Sequence, residues 1–196
     1  MNPGKLRKRG WLMRLAGEKD LRFEAARSLW TEMNETGRKN LFSQVGIGSD
    51  GAEFLLRASD LTLHDAILYK GQHYFLTNIE QMGIHPVYFK VSAARVPCET
   101  ITVSRTVTAK DNLGRAERTV TTIGSFPGCI TEKYLRTETN KSHLELEKRR
   151  VVVAPKAAAY KPGDIFEIIG ESWRVVLVHD LESWKNEYEV ERTEDL

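Results

Sequence analysis

The residues Gly46-Ile-Gly48-Ser-Asp-Gly51 spell G-x-G-x-x-G, the glycine pattern that lets a backbone approach a pyrophosphate at the start of a helix. Such a site needs a strand before the glycines and a helix after them. Residues 41–45 and 52–57 are the candidates, and both are short. Asp50 would place a negative charge in the phosphate cradle, and the second half of the chain has no equivalent pattern. The segment therefore reads as a glycine-rich loop rather than a dinucleotide site. The other reactive residue types are scattered. His64, His73, His85, His143 and His179 form no HxH or HExxH spacing and have no cysteine pair beside them. Cys98 and Cys129 lie 31 residues apart without a CxxC, which reads as two structural thiols in a protein made in a reducing compartment. Ser, His and Asp are present, but no G-x-S-x-G context marks a nucleophile. The expectation is no enzyme, no catalytic or metal residue and no cofactor.

The bulk numbers bound the rest. A chain of 196 residues, 41% hydrophobic and 29% charged, holds one large domain or two of about 100 residues with a core each. Its apolar runs are too short to cross a bilayer, and no apolar stretch of a signal peptide follows the basic start, so a soluble, non-membrane protein is expected. The net charge of +2 is unevenly placed. Residues 1–98 hold 14 basic against 10 acidic side chains (+4), and the remainder holds 15 against 17 (−2). Lys5, Arg7, Lys8 and Arg9 account for the excess of the first half. A modest asymmetry of this kind suits charged protein surfaces at least as well as nucleic acid.

The elements that must position these groups come from an internal repeat. The segment from Asp65 to Ile79 lies in register with that from Asp164 to Val178: Asp over Asp, Gly71 over Gly170, Tyr74 over Trp173, and Leu76 and Ile79 over Val175 and Val178. A period near a hundred residues means a duplicated domain, not a solenoid. Each copy reads as a hairpin turning at Lys70-Gly71-Gln72 or Gly170-Glu171-Ser172, followed by a last strand at residues 87–93 or 186–192. Asp65 and Asp164 recur just before a strand, where a carboxylate can accept backbone N–H bonds in a tight turn. Upstream, residues 99–122 form two Thr/Val-rich strands around Lys110-Asp-Asn-Leu-Gly114. In the matching stretch Leu21, Ala25, Leu29 and Met33 recur at helical spacing, but the repeat favours a strand. Residues 34–51, polar and glycine-rich, and residues 131–150, strongly charged, read as long loops. Tyr74, Trp173, Trp30 and Trp184 read as core or barrel-rim aromatics. The expected fold is mainly β: two tandem small antiparallel barrels or sandwiches, residues 1–97 and 98–196, the second a divergent copy of the first.

The opening Met1-Asn-Pro-Gly-Lys-Leu-Arg-Lys-Arg9 resembles the start of the head-closure (stopper, head–tail connector) proteins of tailed bacteriophages. Leu29-Trp30, the polar segment 40–51, Phe54-Leu-Leu-Arg57, Ile67-Leu-Tyr-Lys-Gly-Gln-His-Tyr74 and Val87-Tyr-Phe-Lys-Val91 then follow in that family's order, covering most of residues 1–96. Members are commonly about half this length, and Gly10-Trp-Leu-Met replaces their usual alternating strand. The resemblance implies a non-enzymatic virion protein of the phage neck, made in the host cytoplasm. It implies a homo-oligomeric ring, six-fold or twelve-fold, with a portal or adaptor protein above, a tail terminator or tail tube below, and packaged DNA in the channel. Under that reading the partner or channel contacts are Lys5, Arg7, Lys8, Arg9, Arg38, Lys39, Gly46, Gly48, Gly51, Lys133, Arg136, Lys141, Lys148, Arg149 and Arg150. A tail terminator or tail-tube component, and a nucleic-acid-binding β-barrel module, are the alternatives.

Overall fold

The structure, a computed structural model, describes residues 6–39, 49–57, 59–83, 87–110, 116–139, 143–155, 159–181 and 185–193. All of its elements are strands. The first six are β1 (Lys8–Ala16), β2 (Arg22–Lys39), β3 (Ser49–Arg57), β4 (Ala66–Tyr69), β5 (Gln72–Met82) and β6 (Tyr88–Val96). The second six are β7 (Glu99–Lys110), β8 (Ala116–Thr139), β9 (His143–Pro155), β10 (Ile165–Ile168), β11 (Glu171–Leu181) and β12 (Lys185–Arg192). The first set closes into an antiparallel barrel in the order β1-β2-β3-β6-β5-β4, and the second closes as β7-β8-β9-β12-β11-β10. The two connectivities are the same, so the duplication seen in sequence is a duplication of a whole closed barrel. Closure removes the free edges that an open sheet of this size would carry.

The correspondence reaches single residues. Met13 opposes Ala66 where β1 meets β4, and Ser104 opposes Ile165 where β7 meets β10. Each β4/β5 or β10/β11 hairpin turns on two residues of positive φ, Lys70 (51°) with Gly71 (75°) and Ile169 (51°) with Gly170 (76°). These are the angles of a type I′ turn, whose twist matches that of the flanking strands. Both turns are one residue tighter than the triplets Lys70-Gly71-Gln72 and Gly170-Glu171-Ser172 suggest, and the second begins a residue earlier, at Ile169, since Gln72 and Glu171 already pair across the hairpin. Both copies also carry a bulge at the same place, between Leu76 and Asn78 and between Val175 and Leu177.

The cores follow the pleat. In the first barrel Leu12, Leu29, Phe54, Leu56, Ile67 and Leu76 point inward with Tyr69 and Tyr74, whose rings meet Phe54 edge-on at 6.0 and 5.1 Å. In the second, Phe166 sits edge-on between Phe126 (5.3 Å) and Tyr188 (5.2 Å), with Ile101, Val103 and Val152 fully buried. The helical spacing of residues 21–33 is overridden as the repeat requires. β2 alternates Leu29, Thr31 and Met33 inward, and the buried Thr31 hydroxyl donates to the Leu55 carbonyl at 2.9 Å. A threonine on the core face had hidden the period of two.

The chain divides into two compact units, Met1–Ala16 with Phe23–Cys98, and Gly17–Arg22 with Glu99–Leu196. Gly17–Arg22 belongs to the second because Leu21 N–H donates to the Ser125 carbonyl (2.8 Å) and Ser125 N–H to the Lys19 carbonyl (3.0 Å). A boundary drawn on composition alone does not find this exchange of the β1–β2 turn. Two other expectations are corrected. Residues 34–39 and 49–51 extend β2 and β3 rather than forming loop, and residues 131–139 and 143–150 pair as a two-stranded ribbon of β8 and β9. The charged sequence of this ribbon imitates a loop, because a run of Lys, Arg and Glu hides the period of two that a half-apolar strand shows.

Candidate functional site

Each barrel positions an arginine and an aspartate at the entry to its short hairpin. Asp164 N–H donates to the Lys161 carbonyl (3.1 Å), and Lys161 N–H donates back to Asp164 Oδ2 (2.8 Å). Asp65 and Thr62 make the same pair of bonds at 3.1 and 2.8 Å. The sequence-based reading of these aspartates as turn residues holds. Sequence reasoning missed the arginine that faces them from the first strand of each barrel. Arg105 donates from Nε and Nη2 to Asp164 at 2.7 and 2.8 Å, a two-pronged bond to a carboxylate only 2% exposed. Arg14, its counterpart, stands 3.9 Å from Asp65 and spends its guanidinium on the exposed Asp60 at 2.5 Å. The Asp164 hydrogen bond raises the Arg105 pKa further above its ordinary value. In the second barrel this clamp ties β7 to the turn that opens the β10–β11 hairpin.

The candidate contact residues divide among several places. Lys5, Gly46, Gly48 and Lys141 lie outside the described residues. Arg7 precedes β1, and Lys8 and Arg9 are its first two residues, so the basic segment is not wholly outside the repeat. Arg9 lies over the half-exposed Trp11 ring at 5.4 Å, and Lys8 donates to the Met33 carbonyl at 3.5 Å. Arg38 and Lys39 end β2, Lys133 and Arg136 lie in β8, and Lys148 and Arg149 lie in β9, with Lys133 opposite Arg149. Arg150, itself exposed, lies over the buried Trp173 ring at 5.0 Å. Gly51 is buried in β3 opposite Ala94, and the strand running on to Arg57 replaces the helix a dinucleotide loop requires.

The first barrel brings basic and aromatic groups together in two depressions. One, of about 420 Å³, is lined by Arg27, Ser28, Trp30, Arg57 and Ser59. Trp30 is 58% exposed, which takes it out of the core and leaves the rim alternative. It falls on the outward side of a strand whose neighbours Leu29 and Thr31 fill the interior. Arg57 sits opposite Tyr88 on the adjoining strand, so an arginine stands between two outward aromatics. The other depression, about 700 Å³, has Lys8, Lys70 and Arg95 around Tyr74 and Gln72. Arg95 is bonded to Asp50 and, at 3.4 Å, to Gln72 Oε1, so its charge is partly spent.

The second barrel holds a constellation that histidine spacing did not reveal. His179 opposes Glu187 across β11 and β12, Glu189 lies two residues on, and their donor atoms all lie within 4.8 Å of one another. Both carboxylates are buried, and His179 Nε2 is 2.9 Å from Glu189 Oε1. These are ligand types a borderline divalent cation takes, and the histidine–glutamate hydrogen bond also accounts for the arrangement. The signal available in sequence was the Glu-x-Glu alternation beside a hairpin, which places three such groups on one face. No protein-family model, curated protein or solved structure matches this chain.

Proposed function

We propose that this chain is a structural protein of a tailed-phage neck, a ring subunit between portal or adaptor and tail that closes the DNA-filled head. The observation that carries the reading is the closed six-stranded barrel of the first unit. Its strands hold, in order, the segments that resemble head-closure proteins: Leu29-Trp30 in β2, Phe54 to Arg57 in β3, the β4–β5 hairpin and Tyr88 to Val91 in β6. A second barrel of the same connectivity gives each subunit two similar blocks, and small barrels that present loops from both ends suit contacts that close by rotation. Particles assembled without this chain should accumulate as DNA-filled heads that carry no tail and lose their DNA. Complete infectious particles made in its absence contradict the proposal.

A nucleic-acid-binding module is the second reading, favoured by Trp30 exposed beside Arg27 and Arg57. An aromatic platform next to arginines can stack a base and hold its phosphate. Quenching of tryptophan emission by single-stranded oligonucleotides, lost in Trp30→Ala, distinguishes it from the first.

A further inference from the structure

The second barrel extends a two-stranded arm. β7 pairs with β10 only over Thr102, Val103 and Ser104, and β8 meets β9 only from Cys129 onward. Between those limits β7 and β8 pair with each other alone over six further positions, from Arg105 opposite Thr121 to Lys110 opposite Ala116. Among the described residues, neither outer edge of this stretch has a strand beside it. Two-stranded ribbons are marginal alone, and unpaired backbone on a strand edge is a template for another chain. Native edges are usually blunted with proline, a bulge or charge, but here each edge carries Thr and Val at its centre. Val107 is 48% exposed and Val120 60%.

The two edges are chemically alike. Arg105-Thr-Val-Thr108 on β7 and Arg118-Thr-Val-Thr121 on β8 are the same tetrapeptide. Inside the arm they lie antiparallel, with Arg105 opposite Thr121, Thr106 opposite Val120, Val107 opposite Thr119 and Thr108 opposite Arg118. No like charges oppose each other in that register, and each valine meets a threonine. In an antiparallel ladder the residues that do not bond inward point their N–H and C=O outward. The same register can therefore be repeated between molecules, the β7 edge of one accepting the β8 edge of the next.

We infer that this arm binds a second copy of the chain by head-to-tail strand addition. Each copy uses one edge to accept and keeps the other to offer, a heterologous contact that closes into a ring when the rotation permits. The inference deepens the ring reading above and rests on it for the closed form, but the pairing itself rests on the repeated tetrapeptide and the open edges.

The test uses the full chain with Cys98 and Cys129 replaced by alanine. Thr106→Cys is made in one preparation and Val120→Cys in another. Mixed and mildly oxidised, the two should form a disulfide-linked heterodimer, because directly opposed strand residues lie within disulfide reach. Either preparation alone should give none. In parallel, residues 106–120 are replaced by Asn-Gly, which keeps Arg105 opposite Thr121 and closes the hairpin. Wild type should sediment as an assembly of 22.3 kDa chains, and the shortened chain as a single one with unchanged near-ultraviolet circular dichroism. An assembly that survives the shortening, or absence of the mixed disulfide in an intact assembly, overturns the arm and leaves the ring standing. A wild-type chain that stays monomeric to about 1 mM, a limit of roughly −4 kcal/mol, overturns the pairing, while the neck reading is then decided by the particles themselves.

Discussion

Removing Arg105 should damage the second barrel far more than removing Arg14 damages the first, although the two arginines occupy equivalent places. Arg105 makes two short charge-assisted bonds, 2.7 and 2.8 Å, to Asp164, whose side chain is 2% exposed. Arg105→Ala leaves that carboxylate buried with the Lys161 N–H still donating to it but no cation beside it. Breaking a fully buried pair in this way costs about 3–5 kcal/mol. The Arg105 side chain is 36% exposed, so solvent screens part of the pair and about 2–3 kcal/mol is the expected loss. For a barrel of about 100 residues that corresponds to a fall of roughly 10–20 °C in its melting temperature. Arg14 stands 3.9 Å from Asp65, and Asp60, its close partner, is 78% exposed, so solvent screens both pairs and Arg14→Ala should leave the first barrel's stability nearly unchanged. Differential scanning calorimetry of the two variants, with urea titrations to check the ranking, measures both. Equal losses, or a larger loss for Arg14→Ala, would refute the assignment of Asp164 as the stronger clamp.

Ile169 is a β-branched residue at φ 51° and is 77% exposed, so Ile169→Asn should relieve strain and raise the stability of the second barrel by about 1 kcal/mol; a destabilised variant in the same calorimetry contradicts this. Burial holds the His73 imidazole below its ordinary pKa, beside the Phe23 ring at 6.3 Å. The unfolded chain takes up this proton near pH 6.5 and the folded chain only lower, so the first barrel's stability is full above about 6.5 and declines as the pH falls below it. His73→Gln should flatten that slope between pH 7.5 and 5, and an unchanged slope would assign it elsewhere. Replacing Lys5, Arg7, Lys8 and Arg9 by alanine should leave both barrels folded, since the β1 backbone pairing does not need those charges, yet weaken docking to heads and reduce its salt sensitivity. Infectious particles assembled at wild-type salt dependence would show that the segment contributes nothing.

The fold was legible where two distant segments constrained each other. The match of Asp65, Gly71 and Tyr74 with Asp164, Gly170 and Trp173 fixed both hairpins, and it overrode a helix-like spacing in β2 that arises because Thr31 takes a core position. What stayed hidden was long-range, or strand whose charges conceal its alternation. The Arg105–Asp164 bond spans 59 residues, and the exchange of Gly17–Arg22 into the second unit depends on backbone bonds to Ser125. The β8–β9 ribbon looks like a loop in sequence because its charges mask the alternation His143-Leu-Glu-Leu-Glu147. The residue type of Trp30 suggests burial, whereas its outward place follows only from the parity of Leu29 and Thr31. Of the basic contact candidates, Arg150 also covers the Trp173 ring, and Lys8 and Arg9 also belong to a strand, two placements that depend on pairings sequence alone does not give.

The central claim, a neck ring built from this duplicated barrel, is tested most directly by electron cryo-microscopy of the assembled particle at a resolution that separates strands. The account expects a ring of paired six-stranded barrels below the portal, with the β7–β8 arms of neighbouring subunits side by side. Density for this chain in the capsid shell or tail tube, or its absence from mature particles, would contradict it.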